Sequence, residues 1–136
     1  EIASRPQDGK PNILIIDDNH DDIKLMESIL SSEGYKVSNA DNGSNGIKMA
    51  IEIKPDLIIL DLIMPEVNGF EVLEELHNNP ETKKIPVIVS SMKELTVEDR
   101  ERLNSKVNSI VKKGEDAKTH ILEAIKRIEI FHGTGD

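Results

Sequence analysis

Leu57-Ile58-Ile59-Leu60-Asp61 is a run of four aliphatic residues closed by an acid. An unbroken apolar run of that length, without polar alternation, fits a strand buried on both faces. The same pattern recurs on either side of it. Ile13-Leu14-Ile15-Ile16 stops at Asp17-Asp18, and Pro86-Val87-Ile88-Val89 stops at Ser90-Ser91. Tyr35 to Ala40 is shorter and alternates weakly, as an edge strand does. Val107 to Val111 reads as a fifth strand and runs into Lys112-Lys113-Gly114. Helical spacing fills the intervals. Asn19 to Asp22 supplies capping side chains and first-turn acids for a helix carrying Ile23, Met26 and Leu30, which Gly34 ends. Ser44 is the expected cap of a second helix carrying Ile47, Ala50 and Ile53. A third carries Phe70, Leu73 and Leu76. Thr96-Val97-Glu98-Asp99 resembles a capping box with Asp in place of the usual Glu, and Ile121, Ile125 and Ile128 mark the last helix. Alternating strands and helices predict an α/β fold, a parallel sheet covered on both faces with right-handed crossovers. Periodicity alone does not fix the strand order.

The chain has 136 residues, the size of one domain. Residues 1–11, with Pro6, Gly9 and Pro11, are expected to be a linker. Residues 12–130 are expected to form the domain, and residues 131–136 a disordered tail. The first residue is not Met, which is expected of an excised or processed segment. Lys and Arg number 17 against 26 Asp and Glu, a formal net charge of -9. That balance argues against direct nucleic-acid binding, which needs a basic footprint. With no Cys, disulfides, thiol nucleophiles and Cys-based metal sites are excluded. Aromatic residues are 2%, so the core must be aliphatic. No stretch has the length and apolarity of a membrane span or a signal-peptide core, and a cytoplasmic setting is the expectation.

The polar residues fall where function is expected. In an open parallel sheet the ligand crevice lies outside the carboxyl ends of the strands. Asp17, Asp18, Asp61, a Ser90-Ser91 hydroxyl and a Lys112-Lys113 ammonium should therefore converge there. Clustered carboxylates repel and call for a cation. An all-oxygen donor set suits Mg²⁺, which completes its shell with water and phosphate. A carboxylate is also a nucleophile toward phosphorus, with Lys113 placed to neutralise a phosphoryl group and Ser91 to donate to its oxygens. His20, His77, His120 and His132 follow no metal-ligand spacing. Gly43-Ser44-Asn45-Gly46 is not a nucleotide-binding fingerprint. The charged stretch Glu94 to Arg102 reads as a solvated helix face, with a partner contact as the alternative.

Four segments together resemble the receiver domain of bacterial two-component response regulators. They are Ile15-Ile16-Asp17-Asp18, Asp61-Leu62-Ile63-Met64-Pro65 with Asn68-Gly69, Ile85 to Ser91, and Ile110-Val111-Lys112-Lys113. The resemblance extends from about Lys10 to Ile130. It implies a doubly wound five-stranded sheet in the flavodoxin-like order 2-1-3-4-5. It implies Asp61 as phosphoacceptor, Asp18 as a direct Mg²⁺ ligand, Asp17 as one acting through water, and the carbonyl of Ile63 as a further ligand. Counting from Pro86 selects Ser91 as the switch hydroxyl, and Lys113 fits the register of the phosphoryl-binding lysine better than Lys112. The donor would be a phosphohistidine on a histidine kinase or phosphotransfer protein. Phosphorylation would rearrange the surface of the fourth helix, fifth strand and fifth helix, with a homodimer through that surface as one outcome.

Several positions depart from the family pattern. Met92 stands where Ala or Gly is usual after the switch hydroxyl, and its bulk is expected to narrow access for small donors. Ile110 replaces the usual aromatic residue of the fifth strand, and Gly114 replaces a proline. Apolar Ile63 cannot orient an attacking water, and Lys93 could pair with the phosphoryl group, so slow self-dephosphorylation is expected. Two other readings compete. A haloacid-dehalogenase-type phosphatase needs an acid two residues after its nucleophile, where this chain has Ile63. A degenerate receiver acting only as an interaction module would not need Asp17, Asp18, Asp61, Ser91 and Lys113 all in place.

Overall fold

The computed structural model describes residues 10–62, 68–92, 94–103, 106–114 and 116–128. The aliphatic runs form the strands β1 (Asn12–Ile16), β3 (Leu57–Asp61) and β4 (Val87–Ser91). Every residue of β3 and β4, and all of β1 after Asn12, is buried. Burial on both faces is why these segments show no alternation. The edge strands β2 (Lys36–Ala40) and β5 (Ser109–Lys112) are more exposed. All pairings are parallel, in the order β2-β1-β3-β4-β5.

Two aliphatic layers hold the helices to the sheet. On one face, Ile13, Ile15, Ile59 and Ile88 pack with Ile23, Met26 and Leu30 of α1 (His20–Ser32). Ile121 and Ile125 of α5 (Ala117–Arg127) complete that layer. On the other face, Leu14, Ile58, Leu60 and Val89 pack with three further helices. These contribute Ala50 of α2 (Gly43–Ile53), Leu73 and Leu76 of α3 (Gly69–Asn78), and Leu103 of α4 (Val97–Leu103). Each fully buried Ile or Leu contributes about 1.5–3 kcal/mol by leaving water, which is how a core without buried aromatic rings suffices.

Capping chemistry sets where the helices start. The Asn19 side chain accepts the Asp22 N–H at 3.0 Å. Thr96 Oγ1 accepts the Asp99 N–H while Asp99 Oδ2 accepts the Thr96 N–H, a reciprocal box with Asp in the Glu role. Two expectations need correction. Asn42, not Ser44, caps α2: its side chain accepts the Asn45 N–H at 2.8 Å, which places Ser44 inside the first turn. The fifth strand begins at Ser109 rather than Val107, because Lys106 and Val107 donate to the Leu103 carbonyl and still belong to the turn leaving α4.

Gly69 joins the fold to the crevice. A Cβ there would come within 2.7 Å of the Leu62 carbonyl oxygen and 2.8 Å of that of Asp61, both backbone atoms. The Gly69 N–H also donates to Leu62 at 3.0 Å. Only glycine lets the start of α3 lie against the end of β3 this closely.

One buried group is left over. The Ser90 hydroxyl is buried and has no hydrogen-bond partner among the described residues. A lone buried hydroxyl costs free energy that an alanine does not. Ser90→Ala is therefore expected to stabilise the domain by about 1 kcal/mol, a rise of a few degrees in Tm. A lower Tm in calorimetry would show that Ser90 carries a favourable interaction.

Candidate functional site

The carboxyl ends of β1 and β3 deliver the acids. Asp17 follows β1, and its N–H donates to the Ala40 carbonyl at the end of β2 (3.1 Å). Its Oδ1 accepts the Asn19 N–H at 2.9 Å, which fixes the carboxylate as the chain turns into α1. Asp61 is the last residue of β3, in register with Ser90 of β4. Asp17 and Asp61 are each 5% exposed, whereas Asp18 is solvent-exposed. One carboxylate oxygen from each of Asp17, Asp18 and Asp61 lies within 4.8 Å of the others. At that spacing two carboxylates repel by about 3 kcal/mol at an effective dielectric near 20, which a cation would relieve.

Lys113 enters from the opposite side of the sheet. Its backbone N–H donates to the Ser91 carbonyl (2.8 Å), so the lysine and Ser91 share one backbone ladder. Its Nζ lies 2.8 Å from Asp17 Oδ2 and 3.6 Å from Asp61 Oδ2. Lys112, one residue earlier and on the other face, pairs instead with Glu94 at 3.1 Å, on the exterior. Burial works against the Lys113 ammonium. Hydrogen bonds to Asp17 and Asp22, and the charges of Asp17 and Asp61, outweigh it and push its pKa from 10.5 up to about 12. A raised lysine pKa stabilises the fold fully below the unfolded value, and that contribution is lost as pH rises through about 12. The lysine is therefore a permanent cation at neutral pH.

Gly114 takes φ +144°, a backbone conformation that the proline expected at this position could not adopt. Ser91 is 1% exposed and ends β4. Met92 is 66% exposed. The Ile63 carbonyl and Lys93 lie outside the described residues. One participant escaped sequence reasoning: Asp22 Oδ2 accepts a hydrogen bond from Lys113 Nζ at 2.8 Å. In the sequence Asp22 looks like an ordinary first-turn helix acid, and nothing local connects it to a lysine 91 positions away.

The donor set fits a hard divalent cation. Among the described residues three carboxylates meet without a nitrogen or sulfur ligand, and Asp18 is the exposed member. A buried carboxylate, an ammonium held beside it and a buried hydroxyl-bearing strand end thus meet at one end of the sheet.

Known proteins give the same constellation a family. The family model described as the response regulator receiver domain matches residues 13–126. Protein PilH of Pseudomonas aeruginosa is 37% identical over 82 residues, covering 60% of this chain and 68% of PilH. Response regulator PleD of Caulobacter vibrioides is 40% identical over 77 residues, 57% of this chain but only 17% of PleD. The receiver domain of sensor histidine kinase PA1611 from Pseudomonas aeruginosa, whose crystal structure has a magnesium ion coordinated in the active-site cleft, superposes with a TM-score of 0.78. That likeness, at 21% identity over 87% of this chain and 96% of the other, concerns the fold. With the matched segment spanning Asp17, Asp18, Asp61, Ser91 and Lys113, this chain belongs to the response regulator receiver domain family of two-component signalling.

Proposed function

We propose that the chain accepts a phosphoryl group on Asp61 from a phosphohistidine, in a Mg²⁺-dependent reaction, and acts as a signalling switch rather than a turnover enzyme. The meeting of Asp17, Asp18 and Asp61 oxygens within 4.8 Å, with the Lys113 ammonium beside them, carries this reading. The donor would be a histidine kinase or phosphotransfer protein in the cytoplasm.

In the transfer, an Asp61 carboxylate oxygen attacks phosphorus in line with the scissile bond. The new O–P bond forms as the P–N bond to imidazole breaks, and the leaving imidazole takes up a proton. Asp17, Asp18 and Asp61 would hold the Mg²⁺. When bound, the ion neutralises part of the charge on the carboxylates and the phosphoryl oxygens. Lys113, already cationic and aimed at Asp61, offers its ammonium to the transferred group. Ser91 supplies a hydroxyl from the neighbouring strand end.

The same residues reach the surface expected to change. Ser91 lines a groove of about 330 Å³ between α4, β5 and α5, whose walls include Leu95, Ile110 and His120. A new charge on Asp61 that draws on Ser91 acts on a residue of the groove wall, and the Ser91 carbonyl is bonded to the Lys113 N–H. Half-buried Ile110 replaces the aromatic residue usual at this place in the family, so the response here rests on aliphatic packing.

Thermal shifts with Mg²⁺ and fluoroberyllate test the reading, the latter standing in for the phosphoryl group on Asp61. A large rise in Tm is expected only with both together, and it should vanish in Asp61→Asn. A folded wild type that ignores the combination would leave an interaction module without phosphoacceptor chemistry. Asp18→Ala should weaken Mg²⁺ binding and, by relieving repulsion, raise the Tm by a few degrees in metal-free buffer. A lower metal-free Tm would count against the repulsion argument.

A further inference from the structure

Lys113 Nζ has three N–H donors. Two are engaged at 2.8 Å, by Asp17 and by Asp22, while Asp61 at 3.6 Å lies beyond hydrogen-bond length. The two engaged partners differ in kind. Asp17 belongs to the carboxylate group suited to the cation, and Asp22 does not. A cation held by Asp17, Asp18 and Asp61 therefore competes with the lysine for Asp17 and leaves Asp22 untouched.

Asp22 is well placed for that role. It sits in the first turn of α1, its N–H bonded to the Asn19 side chain at 3.0 Å. The Asn19 N–H is in turn bonded to Asp17 at 2.9 Å. The next residue, Ile23, is buried in the core and anchors the turn. The Asp22 side chain keeps 35% exposure, whereas that of Lys113 has 10%. A carboxylate on a rigid helix start thus grips a buried ammonium from the solvent side.

We infer that Asp22 is a positioning residue that holds the Lys113 ammonium at the acceptor when Asp17 turns to the cation. The inference rests on the phosphoacceptor reading and adds to it a residue outside the metal and acceptor set. It has a distinctive sign. Removing a nearby negative charge should, by long-range electrostatics alone, strengthen binding of an anionic phosphoryl mimic. Loss of the lysine's anchor should weaken it.

The test is the affinity for fluoroberyllate at saturating Mg²⁺, measured by calorimetry on wild type, Asp22→Asn, Lys113→Ala and the double variant. Asp22→Asn is expected to bind about tenfold more weakly, the scale of one charge-assisted hydrogen bond. It should add no further loss in the Lys113→Ala background, because both changes act through one ammonium. Asp22→Ser, tested alongside, guards against a fold defect peculiar to the amide, and the far-UV spectra of all variants should match. Wild-type affinity or tighter binding in both Asp22 variants would overturn the inference. So would an equal loss with Lys113 already removed. A wild type that binds no fluoroberyllate removes the phosphoacceptor reading and this inference together, whereas binding insensitive to Asp22 removes the inference alone.

Discussion

One ammonium group ties the two ends of the crevice together. Lys113 follows β5 at one edge of the sheet, and Asp17 follows β1, with β3 and β4 between them. The two residues are 96 positions apart, yet their side chains meet at 2.8 Å. That contact requires the strand order, the parallel register and the turn at Gly114 all at once. It brings a positive charge within 3.6 Å or less of Asp17, Asp22 and Asp61, in a crevice where Asp17, Asp18 and Asp61 crowd together. The lysine makes an acidic crevice tolerable in a folded protein, while the remaining negative charge favours a divalent cation.

The rest of the architecture serves this arrangement. Buried aliphatic strands fix the heights of Asp17 and Asp61 to within the pleat of one sheet. Gly69 lets α3 begin hard against the Asp61 and Leu62 carbonyls at the end of β3. The Ser91–Lys113 backbone bond, 2.8 Å long, joins the hydroxyl-bearing strand end to the lysine. A phosphoryl group on Asp61 would therefore be felt at the groove under α4 and α5 without a long chain of intermediates. By contrast Asp56, a buried acid at the opposite, amino end of the strands, accepts the Asn12 N–H at 2.8 Å and ties β1 to the start of β3.

Much of this was legible in the residues because burial on both faces leaves an unbroken aliphatic run, and each such run here ends at the crevice. Only the register of the family resemblance singles out Lys113 over Lys112; in the fold Lys112 pairs with Glu94 while Lys113 reaches Asp17. The strand order came from family resemblance, since periodicity carries no information on which strands pair. Asp22 was illegible for a different reason. Its local setting is fully explained by helix capping, and its contact with Lys113 exists only once β5 is placed. Ser44 was the wrong expectation for the α2 cap because Asn42, two residues earlier, is an equally good cap, and the outcome depends on where β2 releases the chain.

The central claim is that Asp61 becomes covalently phosphorylated. Incubation with phosphoramidate and Mg²⁺, followed by borohydride reduction and peptide mapping, reads this directly, because reduction converts an aspartyl phosphate to homoserine. The account predicts homoserine at position 61, dependent on Mg²⁺ and absent when the donor is omitted. Homoserine at another acid would contradict it, as would none from a folded protein that also ignores Mg²⁺ with fluoroberyllate, a mimic that needs no small donor to pass Met92.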